Sequence, residues 1–102
     1  MNLNVLERIT ALGILPSEGN FATLKIVNDL RLSLSLTEDE YKEFEIKQEG
    51  NQATWNAKGL EQREISIGEK ATDIMVNALK ELDKEKKLKQ SMFSLYEKFV
   101  ED

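Results

Sequence analysis

The densest group of side chains able to do chemistry is acidic. Glu38, Asp39, Glu40, Glu43 and Glu45 lie in one short run. Such a run can bind Mg²⁺ or supply a carboxylate pair for acid/base work, but a hard cation needs oxygen ligands that converge on one point. These residues instead open a helix and spread around it. Thr37 and Glu40 have the spacing of a capping box, and the first-turn carboxylates complement the positive end of the helix dipole. A solvated helix start is therefore favoured over a metal site.

The lysines Lys80, Lys84, Lys86, Lys87 and Lys89 form the one basic cluster, at an expected helix end and interleaved with Glu81, Asp83 and Glu85. That placement suits helix carbonyls better than phosphates. Trp55 is a candidate stacking platform for a base or sugar. Facing Ile46 across a hairpin, it reads better as core. Gly50, Gly59 and Gly68 fit turns and belong to no phosphate-cradling loop. The chain has no histidine and no cysteine, which removes zinc-finger and haem ligation, thiolate chemistry, disulfides and a Ser-His-Asp triad. No catalytic, cofactor-binding or metal-ligating residue is assigned, and enzymatic activity is not expected.

The elements that must carry these residues follow from periodicity. One globular α+β domain is expected across residues 1–102, with 40% hydrophobic and 32% charged residues and a net charge of −5. Leu3, Leu6, Ile9 and Leu12 recur at helical steps, with Asn2 or Asn4 as cap and Gly13 and Pro16 as terminators. Asn20 can cap a second helix beginning at Phe21. Its Leu24, Ile26, Val27, Leu30 and Leu34 form one broad face, while Phe21, Leu32 and Leu36 fall on the other side. Leu30, Leu32, Leu34 and Leu36 also alternate as a strand would; the unbroken length from Ala22 favours helix, with residues 30–36 open between helix and strand. A short third helix follows Thr37.

The period then changes from 3.6 to 2. Gly50-Asn51 is a favoured two-residue hairpin turn, which sets Glu49 against Gln52, Ile46 against Trp55 and Phe44 against Ala57. Lys58-Gly59 reads as a second turn, leading to a third strand with Ile65 and Ile67 inward. Beyond Gly68, the stripe of Ala71, Ile74, Met75, Ala78, Leu79 and Leu82 and the stripe of Leu88, Met92, Leu95, Tyr96 and Phe99 are about 120° out of phase on a straight helix. Two helices breaking near Asp83–Lys87 bring both inward. The expected fold is thus three N-terminal helices, a three-stranded antiparallel β-meander and two C-terminal helices.

Charge is uneven. Residues 1–37 are neutral, residues 38–64 carry −4 and residues 65–102 carry −1. That balance disfavours binding to nucleic acid. The N-terminus lacks a basic segment leading into an apolar run, and no stretch is long enough to cross a bilayer, so a cytoplasmic protein with no membrane contact is expected.

Three helices and a hairpin over residues 3–57 resemble a winged helix in topology. The would-be recognition helix, Thr37-Glu38-Asp39-Glu40-Tyr41-Lys42-Glu43-Phe44, carries four carboxylates that repel DNA. Leu36-Thr37-Glu38-Asp39-Glu40-Tyr41, Trp55, and Leu95-Tyr96-Glu97-Lys98-Phe99 resemble small phage- and prophage-encoded proteins, and the resemblance implies an accessory role. With no cofactor called for, the expected function is a protein-interaction or regulatory module binding another protein. Its expected surface draws on Phe21, Leu32, Leu36, Glu38, Asp39, Glu43 and Glu45. If the Phe21 side is an interface, a symmetric homodimer is one way to cover it. The alternative is an acidic nucleic-acid mimic that occupies the site of a nucleic-acid-binding enzyme.

Overall fold

The chain starts with a strand. In the computed structural model, which describes residues 1–50 and 52–101, β1 (Asn2–Leu3) leads into α1 (Val5–Ile14). Of the two candidate caps Asn4 is the one used: its side chain accepts from the Glu7 amide, and the Glu7 carboxylate accepts from the Asn4 amide. Leu3, expected in the helix, is therefore strand. α2 (Phe21–Leu34) is capped by Asn20, whose side chain accepts from the Thr23 amide. It stays helical through Leu34, so the strand reading fails there. Thr37 and Glu40 form the capping box of α3 (Glu38–Glu43).

β2 (Lys47–Glu49) and β3 (Gln52–Thr54) pair antiparallel with Glu49 opposite Gln52 and Lys47 opposite Thr54. This is the expected register; Asn51 of the expected turn lies outside the described residues. The ladder does not reach Phe44 and Ala57. Instead the Asn56 amide donates to the Phe44 carbonyl at 2.8 Å, because Glu45 turns left-handed (φ 50°) and interrupts the strand.

The expected three-stranded meander does not form. Lys58 and Gly59 lie in a 3₁₀ turn (Ala57–Leu60), started by the Asn56 side chain on the Lys58 amide, rather than in a reverse turn. A Cβ on Gly59 would overlap the Trp55 ring, so glycine lets the chain pass beneath a half-buried indole. The following strand, β4 (Arg63–Glu64), pairs with β1, Leu3 opposite Arg63 and Asn2 opposite Glu64. Two separate two-stranded antiparallel sheets result. The physical reason is burial: pairing with β1 places Ile65 in one cluster with Leu3, and both are buried.

α4 (Glu69–Lys84) buries Ala71, Met75 and Leu79, as the first stripe requires. It stops at a left-handed cap: Lys86 has φ 59°, its amide donates to Asp83 and the Lys87 amide to Leu82. The chain resumes through a 3₁₀ turn (Gln90–Met92), α5 (Phe93–Tyr96) and a π-helical segment (Glu97–Glu101), burying Met92, Leu95 and Phe99. Two helical segments thus bring both stripes inward. Among the described residues, no helix is long and apolar enough to cross a membrane.

α1 packs against α2, α4 and α5, yet its buried face is not the expected one. Leu6 is exposed, whereas Glu7 and Arg8 are only 2% and 3% exposed. Glu7 accepts from Lys98 Nζ at 2.7 Å, and the same ammonium donates to the Asn2 carbonyl and Gln62 Oε1. Burial pushes the Glu7 carboxyl up, but hydrogen bonds from Lys98 and the Asn4 amide outweigh it and hold the group below the usual range.

The cap at Lys86 carries a testable cost. A side chain in the left-handed region is disfavoured by roughly 1 kcal/mol relative to glycine. Lys86→Gly is expected to raise stability by about 0.5–1 kcal/mol, read as a higher urea midpoint with unchanged slope. A lower midpoint would show that the lysine side chain stabilises the cap.

Candidate functional site

α2 presents two unlike faces. At 100° per residue Phe21, Lys25, Asn28 and Leu32 fall within a sector of about 60° and extend along about 16 Å of helix. Phe21 is 83% and Leu32 73% exposed, and Lys25 and Asn28 are also exposed. Val27, Leu30 and Leu34, on the opposite side, are buried in the core. Leu24 borders the outward sector on one flank and Asp29 on the other. Beside the Leu24 flank runs a groove of about 530 Å³ lined by Pro16, Phe21, Leu24, Asn28 and Arg31.

Phe21 and Leu32, two of the expected surface residues, therefore share one stripe. Leu36 does not join them; it lies beyond the helix end and is half-buried. Lys25 and Asn28 complete the stripe and are legible from the same wheel, although as polar residues they carry no apolar periodicity to mark them.

The expected acidic residues split by role. Glu38 and Asp39 are exposed in the first turn of α3. Glu43 pairs with Arg63, whose guanidinium also lies over the Phe44 ring, 5.0 Å from its centroid. Glu45 accepts from Asn56 Nδ2 at 3.0 Å. Glu61 pairs with Arg63 as well. Much of the local negative charge is thus answered inside the chain. Among the described residues, no three acidic side chains are grouped to hold a metal ion.

α3 is anchored by Arg8. The guanidinium donates to both Glu40 oxygens, at 2.6 and 3.1 Å, and to the Leu34 and Ser35 carbonyls at 3.0 and 2.7 Å. Arg8 therefore closes the end of α2 and holds the first turn of α3. The composition carried no sign of this, because both residues sit among ordinary helix-surface charges. The Arg8 hydrogen bonds hold the Glu40 carboxyl below its ordinary value of 4.5, against the upward push of burial.

No family model, no curated protein and no solved structure matches the chain.

The Arg8–Glu40 pair predicts a pH dependence. Glu40 has a lower pKa folded than unfolded, so its contribution is complete above about pH 4.5 and is lost as pH falls through the folded value. Glu40→Gln is expected to cost about 1–3 kcal/mol at pH 7, between the values of exposed and fully buried pairs. The gap between the melting curves of the wild type and Glu40→Gln should narrow progressively as pH falls below about 4.5. A constant gap across that range would exclude the pair as a source of acid sensitivity.

Proposed function

We propose that the chain is a non-catalytic protein-interaction or regulatory module, of the kind a phage or prophage carries as a cytoplasmic accessory protein. It docks through the outward face of α2. The observation that carries this reading is the joint exposure of Phe21 and Leu32 on a helix whose opposite face is buried. Leaving a large apolar side chain in water forgoes roughly 1.5–3 kcal/mol of burial, and two on one stripe offer a partner both. Aromatic anchors beside polar groups are the usual make-up of protein interfaces. Leu24 and the adjoining groove widen the apolar contact, while Lys25, Asn28 and Asp29 supply polar specificity.

The acidic-mimic reading has less support. A mimic needs carboxylates spaced like phosphates and free to meet cations, and Arg8 and Arg63 already engage Glu40, Glu43 and Glu61. Glu38 and Asp39 remain exposed for that role.

The two readings separate in one experiment. Phe21→Glu with Leu32→Glu should leave stability within about 0.5 kcal/mol, since both side chains are exposed. It should also abolish capture of the partner that the wild-type chain retains from host extract. Capture that survives this change, but is lost on Glu38→Gln with Asp39→Asn and falls steeply with salt, would favour the mimic instead.

A further inference from the structure

The outward face of α2 is self-complementary. We propose that a second copy of this chain covers it, with the two α2 helices packed antiparallel about a two-fold axis. This rests on the reading of that face as a docking surface and names its occupant. An axis at the level midway between Ile26 and Val27 sets Phe21 against Leu32 of the second copy at both ends. The same axis sets Lys25 against Asn28 of the second copy at the centre. The axis so placed pairs each of the two large exposed side chains with the other, as residues pair across an isologous interface.

Charge fixes the same register. A two-fold axis of this kind brings like flanks of the two helices together. Lys25 and Asp29 lie on the same flank of the stripe, about 40° apart. In the register set by Phe21 and Leu32, each Lys25 comes within about one residue rise, 1.5 Å along the axis, of Asp29 of the second copy. Two symmetric ion pairs form beside the apolar contacts. Among the described residues neither Lys25 nor Asp29 has an ion-pair partner within its own chain, so both are free to pair across the axis. A parallel two-fold pairing would instead set the flank of Lys25 and Asp29 against the flank of Leu24 and Arg31, so that Lys25 and Asp29 would not meet. The Lys25–Asp29 pairs thus require the antiparallel orientation, while Phe21, Leu24 and Leu32 supply the burial.

A heterologous partner that uses Phe21 and Leu32 must compete with this pairing, because both occupy one face. Self-association then lowers the fraction of chain available to that partner as concentration rises.

The lack of cysteine makes the test clean. Phe21→Cys and Leu32→Cys are prepared as separate proteins, each at an exposed position. Mixed and mildly oxidised, they should form a 21–32 disulfide dimer, since a disulfide needs Cβ atoms about 4 Å apart. Each protein alone should link at least tenfold less, because like positions in an antiparallel pair are about 16 Å apart. In sedimentation equilibrium the wild type should show a concentration-dependent mass. Lys25→Glu or Asp29→Lys should weaken dimerisation roughly tenfold, and the two together should restore it. A wild-type monomer at millimolar concentration, linking of 21 to 21, or a dimer unaffected by Phe21→Glu with Leu32→Glu would each overturn the proposal. A monomer that still binds a heterologous protein through Phe21 and Leu32 would overturn self-pairing while leaving the docking surface in place.

Discussion

A single buried guanidinium ties the N-terminal half of the molecule together. Arg8 lies on α1, yet all its named partners belong to the end of α2 and the start of α3. Burying that charge costs several kcal/mol unless its donors are engaged, so the side chain specifies where those partners must sit. The carbonyls of Leu34 and Ser35 would otherwise be left at a helix end. Glu40 serves twice, capping its own helix through the Thr37 amide and meeting Arg8 with both oxygens. A helix as short as α3 has little stability of its own, and this double use holds it in place.

The same clasp bears on function because it fixes the rotation of α2. With Leu34 drawn toward Arg8 and Val27 and Leu30 in the core, Phe21 and Leu32 are left in solvent. The stripe is therefore a consequence of how α2 is seated and not of a shortage of apolar residues inside. The clasp also takes Glu40 out of the acidic run, and Arg63 takes Glu43 from the run and Glu61 from beyond it. What the composition presents as one negative region becomes, in three dimensions, a set of pairs with a smaller exposed remainder that includes Glu38, Asp39, Glu45 and Glu49. An apolar stripe carrying one positive and one negative group on the same flank is the more distinctive surface of the two.

Local signals were legible because they depend on neighbours in sequence. Asn4, Asn20 and Thr37 act as caps through bonds three residues away. The register of Glu49 on Gln52 follows from the short connection between them. The two C-terminal stripes could be phased on paper, so the break between them was expected even without glycine or proline. The break falls within the expected stretch Asp83–Lys87, but the left-handed backbone at Lys86, like that at Glu45, was not visible, because glycine is usual there. At Glu45 this conformation also stops the hairpin ladder short of Phe44. α1 misled in the opposite sense: Glu7 and Arg8 resemble surface positions, but Lys98 and Glu40 reach them from far along the chain.

The sequence by itself determined the helical segments, their caps, the hairpin register and the absence of histidine and cysteine chemistry, because each depends on residue type or on contacts a few positions apart. Tertiary structure alone decided that β4 leaves the hairpin to pair with β1, that two charges lie inside α1, and that Leu36 separates from the stripe of Phe21 and Leu32. Those outcomes turn on which apolar surfaces and which opposite charges meet across the fold. Pairs such as Leu3 with Arg63, or Arg8 with Glu40, gain their energy only when distant segments are brought together. Periodicity along the chain records which residues seek burial, but the partner that buries them is chosen by the packed whole.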